Sequence, residues 1–477
     1  MKKRIALVLS LGLLLALLAG CEMFVPDQMP TPNYALGGNE TGSPEGPEDS
    51  ADPAENLAGG ADEYGFTVFP AGNYLADKKF DTDEFLPDYD ADPSFNHKWS
   101  DGFELCRTED TIYSFYDGVG VKRIMITYTD KATGISGPLC GRPECLHEDE
   151  TCNAYVHDYF YGYSFSLCTY GGKLYWIDGG SEIVRTNLDG TDRETVCRVW
   201  APEYEINYHS TVLFHRGYVY YATAQKKIVN GEEKAAVAVK AQPLDGGEGF
   251  VVWEKTVDGS ASAGIRCHIK FVGNILYIML TDYDYIELCR WDSKTRQGEF
   301  LYSEAEPDGI LYSGDSFLPV SGDGIYFAGE GRDRTEDGYY VQYAYKYSFA
   351  DGEIKTVMTF NEEEDRVLRT AFYALYFTKD YIVAVHIAWL DDENFQRTIH
   401  LYDYDRNPVL TKDIGRYGVH QFLGADGDYI YFFSLLHEYF GNNSAHQKGD
   451  FIFAPLDGGE LTVIPGFENN WVEGTLV

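Results

Sequence analysis

Four side chains with the chemistry to hold a soft metal stand close together in this chain. Cys140, Cys145, His147 and Cys152 are spaced Cys-x4-Cys-x-His-x4-Cys, three thiols and an imidazole within thirteen residues. Thiolates and a neutral imidazole are ligands that bind Zn²⁺ tetrahedrally, and four protein ligands leave no open position, so such a site is structural. The spacing matches no standard zinc finger, and a ligand pair separated by one residue is tight. Two other readings fit the same residues. In an exported chain the thiols can form a disulfide, for example Cys140 or Cys145 with Cys152, and pairing cannot be read from sequence. Alternatively the segment is a compact turn with buried thiols. In all three cases it pins a loop and performs no catalysis. Lying between the first two repeat units described below, it is expected as a loop on one rim.

Other candidate chemistry is weaker. Cys168, Cys197, Cys267 and Cys289 alternate with apolar neighbours, as in Phe165-Ser166-Leu167-Cys168, and are expected as small buried side chains. Asp88-Tyr89-Asp90-Ala91-Asp92 begins like a calcium loop. Pro93 then stands where the tight-turn Gly belongs and Trp99 where the bidentate Glu belongs, so a solvated acidic stretch is expected. Gly-x-Ser-x-Gly, His-Glu-x-x-His, phosphate-loop and dinucleotide fingerprints are absent from the sequence, and His437-Glu438 lacks its second His. Glu362-Glu363-Glu364-Asp365 reads as a solvated run. Paired carboxylates for glycoside chemistry need about 5–9 Å between positioned groups. Among 76 acidic residues such pairs are too common to inform. No catalytic residue is assigned.

Asp and Glu number 76 against 38 Lys and Arg, a formal net charge of −38 over 477 residues. That field repels nucleic-acid phosphates and anionic headgroups, and we exclude nucleic acid as a partner. Aromatic residues make up 15% of the chain, with 38 Tyr, which favours pleated strands. The 49 Gly supply turns, and no long segment has helical periodicity.

The elements appear as a repeat. A strand ends at a Gly or Asp turn and is followed by a strand with a central Tyr. Copies include Tyr170-Gly171-Gly172-Lys173-Leu174-Tyr175-Trp176-Ile177, Phe214-His215-Arg216-Gly217-Tyr218-Val219-Tyr220-Tyr221 and Asp426-Gly427-Asp428-Tyr429-Ile430-Tyr431-Phe432. Each copy precedes a second hairpin turn, as at Asp189-Gly190, Asp351-Gly352 and Asp457-Gly458-Gly459. Asp-Gly between alternating apolar runs is a strong hairpin signal. Each unit reads as four short antiparallel strands over roughly 45–60 residues, the size of a propeller blade. Seven units fall near 100–141, 164–200, 210–256, 265–305, 315–361, 368–416 and 419–467. The expected fold is all-β: one β-propeller of seven four-stranded antiparallel blades, with six or eight as alternatives. A sandwich has no reason to repeat so regularly, and β-helix rungs are shorter.

The N-terminus assigns a location. Lys2, Lys3 and Arg4 precede an apolar run, Ile5 to Leu18, that ends in Leu18-Ala19-Gly20-Cys21. This is the pattern of a secretory signal peptide. With Cys at the first mature position it resembles a bacterial lipoprotein signal. That resemblance implies cleavage before Cys21 and lipid, such as palmitate, on its sulfur and amine, anchoring the chain outside the cytoplasmic membrane. After Cys21 no apolar stretch approaches the length of a span. Residues 1–20 are expected as the signal peptide and 21–64 as a lipidated, disordered acidic linker, with ten acidic residues and no Lys or Arg after Cys21. Residues 65–99 are expected as an irregular lead-in, 100–467 as the propeller and 468–477 as a C-terminal tail.

The second unit carries a further resemblance. Leu174-Tyr175-Trp176-Ile177-Asp178, then Ile183, Arg185, Asn187, Leu188-Asp189-Gly190-Thr191 and Arg193, resembles the YWTD repeat of low-density lipoprotein receptor propellers, with Ile177 at the usual Thr. Other units keep fragments, Pro243-Leu244-Asp245-Gly246 and Pro455-Leu456-Asp457-Gly458. The whole chain resembles a group of bacterial lipoproteins, frequent in anaerobic Firmicutes, that carry propeller domains of this kind. The resemblance covers most of 100–467 and implies the fold. It carries over neither a catalytic residue nor the receptors' ligands.

A membrane-anchored, extracytoplasmic binding or scaffold module follows as the expectation, with a glycan, peptide or exported envelope protein as partner. Tyr-rich loops at Tyr155–Tyr163 and Tyr283-Asp284-Tyr285 offer aromatic faces. The alternative is a glycan-active hydrolase or lyase with an acidic pocket on the axis. An enzyme needs carboxylates or His converging in one deep axial pocket, whereas a binding module needs a broad aromatic or acidic surface. The sole cofactor expected is structural Zn at the Cys/His cluster.

Overall fold

A computed structural model describes the chain between Phe80 and Leu476, apart from connecting stretches of which the longest are 94–104, 158–166, 200–211 and 362–369. The expected signal peptide, Cys21, the linker and the lead-in up to residue 79 lie outside the described residues. Described secondary structure is all strand. Blade 1 holds β1 (Leu105–Arg107), β2 (Thr111–Asp117), β3 (Ile124–Asp130) and β4 (Ser136–Pro138), with β5 (Tyr155–Val156) also paired to β3. Blade 2 holds β6 (Cys168–Tyr170), β7 (Lys173–Asp178), β8 (Glu182–Asn187) and β9 (Glu194–Arg198). Blades 3 to 7 each place four strands in chain order within 212–258, 266–305, 310–360, 370–415 and 421–472. Consecutive strands within a blade pair antiparallel. The fold is a seven-bladed β-propeller.

Burial explains both the sequence pattern and the closure. An inner strand is packed on both faces by neighbouring blades, so it reads as a continuous apolar run rather than an alternation. Leu174-Tyr175-Trp176-Ile177 of β7 is entirely buried. The outermost strand of blade 6, Pro408–Gly415, has one wet edge and is largely exposed. Buried apolar side chains form seven clusters, one at each seam between consecutive blades. An open array of seven blades would have one seam fewer. The closing seam brings Leu105 and Ile112 of blade 1 against Leu423, Tyr431, Phe433, Phe451 and Phe453 of blade 7. Among the described residues no strand is exchanged across it. One parallel pairing, Asp117 with Phe467, and an Arg107–Asp426 ion pair add to the apolar contact.

Turn chemistry sets the register. In the outer hairpins Asp189, Asp292 and Asp457 accept a hydrogen bond from the backbone N–H two residues on, at 2.9, 2.8 and 2.8 Å. The last strand, Thr462–Val472, and a short strand paired back on it, Thr475–Leu476, continue blade 7 into the stretch expected as a tail. The described residues within 80–93, all but 81 and 83, form a strap. It bonds to the first hairpin turns of blades 2, 3 and 4 through Gly171, Arg216 and Asn274.

Candidate metal centre and ligand cavity

The Cys/His segment is not a rim loop. It interrupts the outer strand of blade 1. β4 pairs with Thr127–Thr129 of β3, and β5 pairs with Ile124 and Met125 of the same strand. Between them Ile126 donates its N–H to Ala154 and accepts from Leu139, both at 2.8 Å. The edge therefore resumes after an excursion over 140–153. That excursion wedges against blade 2. A Cβ on Gly141 would lie 2.4 Å from the Thr191 methyl, and one on Gly190 would lie 2.6 Å from the Leu139 carbonyl. Gly190 also has φ +79°, so two glycines are needed here for separate reasons, close approach and a left-handed turn.

Blade 2 grips the returning arm. Arg193 donates to the carbonyls of Cys152, Asn153 and Tyr155 and pairs with the buried Asp178, which also holds His157 at 2.9 Å. That carboxylate raises the His157 pKa, against burial. Asn153 donates to the Gly190 carbonyl at 2.7 Å. Asp178 and Arg193, both in the unit that resembles a YWTD repeat, are thus a bonded pair that fastens the excursion.

At its tip the three sulfurs and one ring nitrogen of Cys140, Cys145, His147 and Cys152 lie within 4.8 Å of one another. His147 Nδ1 is 3.3 Å from Cys152 Sγ. Four atoms so placed fit around a point no more than about 2.9 Å from each, slightly beyond zinc–sulfur and zinc–nitrogen bonds of about 2.3 and 2.0 Å. The set could hold a metal. Its sulfurs are in no disulfide. Burial pushes the Cys152 thiol up to about 12, and the neighbouring thiols of Cys145 and Cys140 add to the rise. Burial pushes Cys140 up too, but hydrogen bonds from the backbone of Arg142 and Asn153 and from the other thiols outweigh it, and its pKa falls.

The strap creates a second site that periodicity did not reveal. Asp90 is buried. Its carboxylate accepts from Arg216 Nε and Nη2 at 2.7 and 2.8 Å and from the Leu86 N–H at 3.1 Å. Asp90 is therefore engaged by a guanidinium, and the calcium-like spacing of Asp88–Asp92 serves to dock the strap. Arg216 also donates to Thr82 O, Glu84 O and Asn274 Oδ1. Lys270 donates to Pro93 O at 2.6 Å, and burial pushes its ammonium down to about 7, with Asp92 opposing. The sequence signal was His215-Arg216, a His-Arg pair that no other copy carries at this turn.

Under the strap, against the first strands of blades 1 to 3, lies a cavity of about 480 Å³. Its walls include Phe85, Asp88, Asp92, Glu109, Tyr170 and Phe214. Phe85 is half exposed. Cys106 and Cys168 line the same cavity and are only partly buried, whereas Cys197, Cys267 and Cys289 are buried as expected. The Tyr-rich loops contribute little that is described. Tyr155 lies in β5, and Tyr285 bonds Lys255 and Glu287 at the seam of blades 3 and 4, while 158–166 and 283–284 lie outside the described residues. Among the described residues no helix is long and apolar enough to cross a membrane.

No protein family and no curated protein matches this sequence. Solved structures do. An oligogalacturonate lyase from Vibrio parahaemolyticus is similar at 8% identity and a TM-score of 0.40, over 77% of this chain and 93% of that one. TolB from Acinetobacter baumannii is similar at 13% identity and a TM-score of 0.32, over 78% and 80%. A puromycin-hydrolysing peptidase from Mycobacterium tuberculosis is similar at 11% identity and a TM-score of 0.44, over 84% of this chain and 56% of the peptidase. No residue or activity is carried over from them.

Proposed function

We propose that this chain is an extracytoplasmic lipoprotein, anchored through lipid on Cys21, whose propeller binds a neutral or amino sugar in the cavity under the strap. The cavity carries this reading. Its volume of about 480 Å³ suits a small ligand. Phe85, half exposed, offers an apolar ring face over the buried Tyr170 and Phe214, beside the carboxylates of Asp88, Asp92 and Glu109, and Arg107 in the same wall is paired with Asp426. Carboxylates accept hydrogen bonds from sugar hydroxyls and attract ammonium groups, and they repel anionic glycans. Anchoring rests on the Leu-Ala-Gly-Cys box. Cys21→Ser is expected to move the protein from the membrane to the soluble fraction, measured by fractionation; retention in the membrane argues against the lipid.

The test of binding is a glycan array probed with the full chain, followed by calorimetry. Binding that Phe85→Ala or Glu109→Gln weakens about tenfold or more, corresponding to about 1.4 kcal/mol, supports the reading. No binding to any neutral or amino sugar sinks it. The same three carboxylates favour a second reading, a glycan hydrolase or lyase. Release of new reducing or unsaturated ends from a bound glycan, lost in Glu109→Gln, would select that one.

A further inference from the structure

We propose that Cys140, Cys145, His147 and Cys152 bind one Zn²⁺ in a closed tetrahedral site, and that the ion staples the excursion in the broken edge of blade 1 to itself, in the form that packs against blade 2. Four observations converge. The donor set is three sulfurs and one imidazole, which suits zinc and other soft or borderline ions and not magnesium, calcium or manganese. All four ligand atoms lie within 4.8 Å of one another, so a contraction of at most about 0.6 Å for the sulfurs and about 0.9 Å for the nitrogen brings them to bonding distance. His147 holds φ at +58°, a region that costs a non-glycine residue on the order of 1 kcal/mol and needs a compensating contact. That conformation places Nδ1 3.3 Å from Cys152 Sγ. A disulfide would use two of the three sulfurs and leave the third thiol and His147 without a shared purpose.

The place of the site gives the ion its task. Cys140 and Cys152 flank the gap between β4 and β5, one at each end of the excursion. Cys152 belongs to the apolar cluster of the blade 1–blade 2 seam, with Trp176, Leu174 and Val184 from blade 2, and Cys140 and Cys145 pack against it. The backbone ladder holds Ser136–Leu139 and Ala154–Val156 to β3 but not the excursion between them, and a four-ligand ion can fix that excursion. Four protein ligands fill the coordination sphere, so the site has no position for substrate. The inference does not depend on the anchoring or on the sugar.

The test uses the full chain purified in detergent without chelators. About one zinc per chain by mass spectrometry of the metal is expected. Removing it should free three further thiols for titration and speed amide exchange in 124–129 and 187–193, leaving blades 4 to 6 unchanged. Replacement by Co²⁺ should give thiolate-to-cobalt absorption that Cys145→Ser weakens and His147→Ala shifts. Should those variants fail to fold, the chelated and reloaded wild-type chain makes the same comparison. A metal-free chain that takes up no zinc on addition, an intact mass two hydrogens light with a disulfide in the cluster, or a different resident metal overturns the proposal. Zinc bound with no change in exchange at 124–129 overturns the staple.

Discussion

His215 shows how one residue's protonation is tied to the fold. Its side chain is fully buried and stacked on Phe271 at a centroid distance of 3.8 Å. The Ala91 N–H donates to Nδ1 at 3.2 Å, so Nδ1 must be bare, and Nε2 carries the proton toward the Gly273 carbonyl at 2.9 Å. Burial holds its pKa down to about 3, with Arg216 reinforcing and Asp90 opposing. In blade 6, Thr398 lies between His386 Nδ1 and His400 Nε2 at 3.3 and 3.0 Å, and burial, then His386, lowers His400 to about 4. These folded pKa values lie below the unfolded value. The neutral rings therefore contribute their full stability above about pH 6.5, and that stability is lost as pH falls from there toward 3, because the unfolded chain takes up the protons first. His215 alone should cost about 3 kcal/mol between pH 7 and pH 4. Urea midpoints measured across that range should fall steeply for the wild type and less steeply for His215→Gln. A parallel slope in the variant would assign the sensitivity elsewhere.

The strap is the element whose role was hardest to foresee. Asp90 and Arg216 stand 126 positions apart, and both are buried. A buried pair contributes little net stability against an apolar replacement of both partners, but loss of one partner leaves an uncompensated charge and costs about 3–5 kcal/mol. Arg216→Met is expected to lower urea stability by that amount. Adding Asp90→Asn should recover part of it, which unrelated damage would not allow. Arg216→Lys should also fail, because one ammonium cannot satisfy both carboxylate oxygens, two carbonyls and Asn274. Pro and Asp throughout 65–99 gave no period to read, and the partners of this stretch lie on three blades. By contrast, the four strands of each blade were legible, since alternation, central Tyr and Asp-Gly turns are properties of neighbours in the chain. Cys140, Cys145, His147 and Cys152 were legible as a cluster, with metal, disulfide and buried turn all open. Their position was not, because nothing local says that β5 resumes the edge that β4 began.

At the scale of the ring, closure rests on one seam that shows no strand exchange among the described residues. Six of the seven seams join blades that are consecutive in the chain, and the described residues of the seventh meet by side-chain packing, one bridge and one ion pair. Phe453→Ala at that seam should cost about 3–5 kcal/mol, as should Phe327→Ala at the seam of blades 4 and 5. The two should differ in exchange. The first is expected to release amides of β1, β2 and the last blade together, and the second only those near its own site. Equal spreading from both would mean that the closing seam is no weaker than the others.

What the amino-acid sequence determined by itself was the blade, its number and the chemistry of its turns, because strand alternation, aromatic content and Asp-Gly hairpins act over a few residues. The clustering of Cys140, Cys145, His147 and Cys152 was equally plain, with metal, disulfide and buried turn all open. Only the tertiary structure decided where that cluster sits, that Gly141 and Gly190 must lack side chains, and that the strap binds across three blades to roof a cavity. Each of these depends on two surfaces meeting when the ring closes, and the spacing of residues along one chain holds no record of which surfaces will meet.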